Sequence, residues 1–248
     1  MGSYHSGIER ISSSGLKLLL NKSPAHYYAK YAEAQEETPT RAKVLGSLVH
    51  AIILEGEDVA TKRYGVATHN PGTKGYASWL TENEGLEGGL KPDDWDVARR
   101  MRDSLYSIND FRSLIEQKGV SEQAIEWTDP ITGAKCKCKP DWLADDSSLM
   151  IDLKTARDGS EWGFSRAVRS YQYDLSAAFY VNGVDMVRGT TPGWLWVVVE
   201  NDAPYAASIY EIRPDTMQAG EAKVYDALDI YMKCLTEGTW PSYPRSAI

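Results

Sequence analysis

Cysteine is scarce in this chain, and its scarcity bears on the architecture. The 248 residues include 3 cysteines. A small, odd number argues against a disulfide framework and favours a reducing compartment. A chain of this length can bury a substantial hydrophobic core without disulfides. We therefore expect an ordinary globular protein in which residues 1–248 form a single domain.

Long apolar runs are also missing. The run WLWVVV at 194–199 is among the longest, and it is far too short to cross a bilayer. The first ten residues, MGSYHSGIER, lack the apolar stretch of a signal peptide. These absences predict a cytoplasmic protein without a membrane partner.

The chain has no excess of positive charge. Its formal net charge is -8, which argues against a protein that holds nucleic acid by bulk charge alone. A nuclease is not excluded, because it needs only local basic patches and its acidic metal site is balanced by divalent cations.

Helical patterns dominate the first half of the chain. Pro24 marks the junction between two short helices. The stretch 41–56 carries apolar residues at helical spacing. The glycine-rich segment 65–95 predicts a long loop with one short helix near 76–83, and 93–117 predicts further helix.

Strand patterns begin at residue 122. Three consecutive antiparallel strands are predicted at 122–127, 134–144 and 148–156. Two more are predicted at 193–201 and 207–214. One helix, from a cap at Ser160 to a stop at Gly183, separates the two groups, and a helix with Asp215 as its N-cap follows them. This order predicts an α/β fold with a central mixed sheet flanked by helices.

The stretch KCKCKPDW places Cys136 and Cys138 two residues apart, so both point to one face of a strand. A structural zinc site would need two more ligands at suitable spacing, and Cys234 is remote. We interpret the pair as small buried hydrophobic groups. The opposite face carries three lysines that lead toward Asp141: Lys135, Lys137 and Lys139. Such a row is typical of a solvated strand, and it also suits a surface that faces a polyanion.

Two aspartates and a lysine form the strongest chemical signal. Asp141 lies eleven positions before Asp152, and a short DDSS turn separates their strands. Asp152 and Lys154 are two apart and share a strand face. Carboxylates are hard oxygen ligands for a divalent cation, and the Leu153 carbonyl can add another. Lys154 can orient or deprotonate an attacking water and stabilise developing charge.

His50 stands in an apolar stretch, LVHAIIL, four residues after Gly46. An unpaired imidazole there would be costly to bury, whereas a metal ion at the sheet edge would give it a partner. The other histidines lie in tail or loop contexts without such an argument: His5, His26 and His69.

The ordered set of Gly46 and His50, Pro140 and Asp141, and then D-x-K at 152–154 resembles the PD-(D/E)xK nuclease superfamily. Within it, the chain is most similar to RecE-type exonucleases of phages and prophages. Further similar stretches are SSSGLKLLLNKSPAHYY, TGAKCKCKPDW and YQYDLSAAFY.

The resemblance implies a restriction-endonuclease-like core and a nuclease that uses one or two Mg²⁺ ions, for which Mn²⁺ can substitute. It also implies digestion of one strand of double-stranded DNA from its 5′ end without ATP. Further implications are a bacterial host cell, a homo-oligomeric ring and a RecT-like annealing protein that receives the 3′ strand.

Related nucleases often carry a glutamine three residues after a tyrosine in the helix that follows D-x-K. Aligning Tyr173 places Ser176 at that position, so either Gln172 substitutes for the glutamine or the contact is absent. Glu126, on the first predicted strand, is either an auxiliary acid or an exposed strand residue. Candidate phosphate contacts are Arg166 and Arg169, together with the lysine row, and Gln172 is a further candidate DNA contact. Tyr171, Tyr173 and Trp162 could stack on bases at a duplex end.

Three other functions compete with this hypothesis. The first is a single-strand or flap-specific nuclease of the RecB or Cas4 kind, although the Cas4 type usually adds cysteines for an iron–sulfur cluster. The second is a DNA-binding protein on a nuclease-like scaffold without chemistry. The third, a glycosidase with a carboxylate pair, is remote, since it would not need Lys154 or His50.

Overall fold

A computed structural model describes residues 7–33 and 39–243 of the chain. His5 and part of the proline-containing break before Arg41 lie outside these ranges. Within them, no helix is both long and apolar enough to cross a membrane.

The described helices surround a central sheet. They are α1 Ser13–Asn21, α2 Pro24–Tyr31, α3 Arg41–His50, α4 Glu57–Arg63, α5 Lys74–Glu82, α6 Pro92–Tyr106, α7 Asn109–Ile115, α8 Glu161–Ser170, α9 Tyr173–Arg188 and α10 Pro214–Glu237. A π-helical turn, Ala51–Glu55, follows α3 directly. The predicted helix start at Pro24 is confirmed, and its fixed φ suits that position.

The described strands are β1 Tyr64–Val66, β2 Gly88–Leu90, β3 Gly119–Ser121, β4 Ile125–Thr128, β5 Lys135–Cys138, β6 Trp142–Ala144, β7 Leu149–Ala156, β8 Gly193–Glu200 and β9 Ala207–Glu211. Five of them form the main sheet in the order β3-β6-β7-β8-β9. β7 and β8 are parallel, whereas the other neighbouring pairs are antiparallel. The predicted mixed α/β sheet is therefore confirmed.

Hydrophobic cores cover both faces of the main sheet. Met150 of β7 and Trp194 of β8 pack with residues of α1, α8, α9 and α10. Ile151 and Val197, one residue out of phase, pack with residues of α3 and α6. Because side chains alternate along a strand, Asp152 is in phase with Met150 and belongs to the α1/α9 face.

The predicted strand 134–144 is interrupted, and this part of the prediction is wrong. β5 ends at Cys138 and β6 begins at Trp142. Pro140 lies between them, where it has no N–H for a ladder. β5 pairs with β4 outside the main sheet, while β6 pairs with β7. Asp141 therefore stands at the point where the chain enters the main sheet.

The predicted helix 160–183 consists of two helices. Ser160 caps α8 as expected, since its hydroxyl accepts a bond from the Gly163 N–H at 3.1 Å. The break falls at Gln172, whose φ is 49°. The predicted stop at Gly183 is wrong, because α9 continues through it. A Cβ there would lie 2.6 Å from the Trp127 ring, so close packing rather than helix termination requires this glycine.

Two smaller differences concern the loops. The glycine-rich segment contains the predicted helix, α5, but also β2, which pairs with β1 in parallel. In α10, Asp215 lies in the first turn, and Arg213 occupies the N-cap position predicted for it. The carboxylate still lies at the positive end of the helix dipole.

Candidate active site

Asp141 and Asp152 meet across the β6–β7 hairpin. Trp142 pairs with Ile151 in antiparallel register, so one further step brings Asp141 opposite Asp152. The Leu153 N–H donates a hydrogen bond of 2.8 Å to Asp141 Oδ2. This bond holds the Asp141 carboxylate against the backbone of β7, beside Asp152.

His50 reaches the same carboxylate from α3. It is the last residue of that helix, and its Nδ1 lies 3.6 Å from Asp141 Oδ2. The following π-helical turn is an irregularity that is frequent at functional sites. Leu48 and Val49 are buried, whereas the His50 side chain is partly exposed. The imidazole therefore has the polar partner that its apolar surroundings require.

Glu122 completes a group of three ligand-type side chains. The ligand atoms of His50, Glu122 and Asp141 all lie within 4.8 Å of one another. Glu122 follows β3 with a φ of 57°, and its N–H donates to the Pro140 carbonyl at 3.1 Å. Its carboxylate also forms an ion pair with Lys139.

The sequence pattern does not single out Glu122. β3 has three residues, and its pairing with β6 places Ser121 opposite Trp142. One further step in that register sets Glu122 opposite Asp141. Glu122 could have been identified only if β3 had been predicted as the edge strand beside β6. A strand of three residues is too short to show the alternating pattern on which such a prediction rests.

Asp152 and Lys154 form a buried ion pair beside this group. The Lys154 ammonium lies 2.6 Å from Asp152 Oδ2, yet this oxygen accepts no well-directed hydrogen bond from the described residues. Burial raises the pKa of Asp152, Lys154 opposes the rise and Asp141 adds to it. Burial alone would lower the pKa of Lys154, but the carboxylates of Asp152 and Asp141 raise it overall.

Two lysines lie near the ring of Tyr173. The Nζ atoms of Lys154 and Lys17 lie 5.2 Å and 5.3 Å from the centre of its ring, within the range of cation–π contacts. Lys17 comes from α1, and the sequence did not suggest it. Burial, reinforced by the charge of Lys154, lowers the pKa of Lys17 to about 8. The site therefore carries a second lysine, Lys17, close to Lys154 and Tyr173.

The two faces of β5 differ in burial: both cysteines are buried, whereas the three lysines of the opposite row have different surroundings. Cys136 and Cys138 are buried and free, and burial raises the pKa of both thiols. On the other face, Lys135 is exposed but Lys137 is buried, and Lys139 pairs with Glu122. The three lysines therefore do not form one solvated surface.

The remaining candidates are dispersed around the site. Arg166 lines a cavity of about 590 Å³ that includes Lys154, whereas Arg169 lines another cavity together with Trp196. Glu126 pairs with Arg10 at 3.2 Å, and Glu122 stands where an auxiliary acid was expected.

The structure shows the surroundings of Gln172 and Ser176, the two residues considered for the helix glutamine of related nucleases. The side-chain amide oxygen of Gln172, Oε1, accepts a hydrogen bond of 3.2 Å from Asn21 Nδ2. Ser176 is buried within α9. The side chain of Gln172 thus joins α1 to the start of α9, and its role in the reaction stays a prediction.

Comparison with known proteins places this geometry in a family. Residues 12–247 match the model of a family described as a PDDEXK-like domain of unknown function. The chain belongs to this PDDEXK-like family. It is accordingly a hydrolase of the PD-(D/E)xK nuclease class, as its ordered motif indicates. No curated protein sequence matches the chain.

Solved structures resemble the PDDEXK-like chain in fold. A protein of Eubacterium rectale, provisionally named an exonuclease, is 16% identical, with a TM-score of 0.66, covering 96% of this chain and 91% of its own. A phage-related exonuclease from Haemophilus somnus 129PT is 12% identical, with a TM-score of 0.38, covering 93% and 96%. The first likeness supports the fold, and the second is too distant to carry an argument.

The donor set of the PDDEXK-like site fits a divalent cation. It combines the imidazole of His50 with the carboxylates of Glu122 and Asp141, and Asp152 lies next to Asp141 across the hairpin. Hard cations prefer such oxygen-rich sets. One buried oxygen of Asp152 accepts no well-directed hydrogen bond from the described residues, and burial, reinforced by the charge of Asp141, raises the pKa of this carboxyl. A cation in the site would relieve both. That the ion is Mg²⁺, in one or two copies, stays a prediction.

Proposed function

We propose that this PDDEXK-like chain is a Mg²⁺-dependent, ATP-independent exodeoxyribonuclease that resects linear double-stranded DNA. One observation carries the proposal: a histidine, three carboxylates and a lysine converge at one end of the β6–β7 hairpin. These groups match the chemistry of metal-assisted phosphodiester hydrolysis. His50, Asp141, Asp152 and the Leu153 carbonyl are the proposed ligands, with Glu122 beside them.

Each side chain has a distinct task in this proposal. A bound divalent ion would polarise the phosphoryl oxygen and acidify a coordinated water. Lys154 orients that water through Nζ and stabilises the charge that develops on the phosphate. Asp152 holds the Lys154 ammonium in place through the 2.6 Å ion pair. Water oxygen bonds to phosphorus, an ester P–O bond breaks, and the leaving oxygen takes up a proton.

The finer features of the proposal follow the resemblance to RecE-type exonucleases. We propose digestion from the 5′ end that leaves a 3′ single strand for a RecT-like annealing protein during phage-type recombination. A homo-oligomeric ring around the DNA and a single domain over 1–248 belong to the same proposal. Mn²⁺ is expected to replace Mg²⁺.

The proposal is tested on a blunt, 5′-phosphorylated linear duplex with Mg²⁺. Asp152→Asn and Lys154→Ala are expected to lower the rate at least 100-fold, by analogy with the loss of a group that stabilises transition-state charge. Lys233→Ala, exposed on α10 and outside the proposed DNA contacts, is the matched lysine control and should retain the rate. Full activity in Lys154→Ala would refute the proposed chemistry.

A parallel assay on single strands and flaps separates the two nuclease hypotheses. A preference for the duplex end supports resection, and a preference for single strands supports the RecB-like alternative. The cysteines give no support to an iron–sulfur form, because there are three of them, with Cys136 and Cys138 on β5 and Cys234 on α10.

A further inference from the structure

The cavity that contains Lys154 continues away from the metal-ligand group along α8. It has a volume of about 590 Å³, follows the end of β7 to Arg157, and is walled by Arg166 and Tyr171. We call it the α8 groove. Phe164 separates it from a cavity on the other side of α8. A volume of this size is typical of a site for one small ligand, not for a duplex.

Charge distinguishes the α8 groove from two neighbouring cavities. Its lining has three basic side chains, Lys154, Arg157 and Arg166, against one acidic side chain, Asp158. In the cavity beyond Phe164 and in the one beside His50, acidic side chains equal or outnumber basic ones. Basic grooves attract phosphate backbones. The α8 groove is therefore the cavity best suited to a polyanion.

The two arginines are available for this role. Arg157 follows β7, Arg166 lies in the middle of α8, and both are exposed. Neither guanidinium forms an ion pair with a residue in the described ranges 7–33 and 39–243. Arg99 and Arg102, by contrast, are both bound to Glu57.

An aromatic column runs from the catalytic lysine to the mouth of the groove. Lys154 lies over one ring, Tyr173, and that ring stacks on Tyr171 at 5.5 Å with an interplanar angle of 28°. The break at Gln172, with its positive φ, sets the two tyrosines side by side. The outer Tyr171 is 61% exposed, so one face is open for a further ring.

We propose that the α8 groove binds the scissile strand as an unpaired single strand next to the cleaved phosphate. Arg157 and Arg166 bind neighbouring phosphates, and Tyr171 stacks on a base. Stacking on an aromatic face tolerates every base, which suits digestion that proceeds through any sequence. The inference rests on the proposed function, since it assumes that nucleic acid is the substrate.

Binding of a short fluorescent oligothymidylate to the full chain in EDTA tests the groove without cleavage. Tyr171→Ala should weaken binding about tenfold, while Tyr171→Phe, which keeps the ring, should restore it. Arg157→Ala and Arg166→Ala should each reduce the slope of log K against log salt by about 0.7. Arg213→Ala, an exposed arginine that lines the other cavity, is the control and should leave affinity and slope unchanged.

The outcomes are separable from those of the nuclease assay. Unchanged affinity in Tyr171→Ala, or an unchanged slope in both Arg157→Ala and Arg166→Ala, would overturn the groove assignment. If Arg213→Ala reduced the slope as much as Arg157→Ala and Arg166→Ala do, the assignment would also be overturned, because binding would then reflect electrostatic attraction spread over the surface. A chain that binds the oligonucleotide as described but cleaves no DNA would refute the proposed function and keep the groove.

Discussion

The Lys139 ammonium pairs with the Glu122 carboxylate, one of three ligand-type groups that lie within 4.8 Å of one another. Lys139 is two residues from Asp141, so the short segment between β5 and β6 supplies both a positively charged side chain and a candidate metal ligand. A divalent ion at the group would repel this ammonium. The ion pair must therefore loosen when metal binds.

Lys139→Met is accordingly expected to tighten Mn²⁺ binding about tenfold, because the competing positive charge is removed. Titration calorimetry of the variant and the wild type measures the change directly. Lys135→Met, at the exposed start of β5, is the control and should bind as the wild type does. Weaker binding in Lys139→Met would contradict the competition and would assign the lysine a supporting role.

Glu122 and Glu126 give a second matched comparison. Glu122→Gln is expected to weaken Mn²⁺ binding about 10- to 100-fold, since one anionic oxygen ligand becomes a neutral amide. Glu126→Gln should have no effect, because Glu126 pairs with Arg10. Calorimetry on the two variants decides which glutamate is the auxiliary acid. The reverse pattern would place the metal next to β4.

Gly183 predicts a measurable packing effect. Gly183→Ala should destabilise the fold by about 1–3 kcal/mol, because the new methyl group meets the Trp127 ring at 2.6 Å. Gly46→Ala, in α3, meets nothing within 4 Å and should stabilise by about 1 kcal/mol through helix propensity. Urea unfolding of both variants provides the free energies. Equal stabilisation by both would show that Trp127 can move aside at little cost.

The ion pairs of Glu57 with Arg99 and Arg102 predict that the stability of the fold depends on pH. Hydrogen bonds from Arg99, opposed by burial and aided by Arg102, lower the pKa of Glu57. Its contribution is therefore complete above the ordinary glutamate pKa of 4.5 and is lost as the pH falls through the lowered value. Glu57→Gln should cost about 0.5–1 kcal/mol at pH 6, discounted for partial exposure, and almost nothing at pH 2. Urea unfolding at the two pH values measures the difference, and an equal cost at both would exclude the ion pairs as its source.

The sequence predicted the mixed sheet and the approach of Asp141 to Asp152, because a short turn between two apolar strands leaves few alternatives for pairing. It did not predict that the strand before Asp141 changes sheets at Pro140. Which sheet each half of this segment joins depends on the partner strand that buries more surface, and the local periodicity of the sequence does not contain that information. The same limit hid Glu122, whose place follows from β3 joining the sheet at its edge.

Gly183 and Gln172 show a second limit of the sequence. A glycine in a helical pattern indicates a stop, and a glutamine indicates continuation, yet α9 runs through Gly183 and begins after a break at Gln172. Tertiary contacts reversed both preferences: Trp127 packs on Gly183, and Asn21 binds Gln172. Lys17 likewise reaches the site from a distant helix, which spacing along the chain cannot reveal.

The central claim is that a divalent ion binds between His50, Asp141 and Asp152, with Glu122 beside them. The most direct test is anomalous diffraction from crystals of the full chain soaked in Mn²⁺. The predicted result is a strong anomalous peak among these side chains, with Lys139 turned away from Glu122. Crystals with no peak there, and with the Lys139–Glu122 ion pair intact at high Mn²⁺, would contradict the claim.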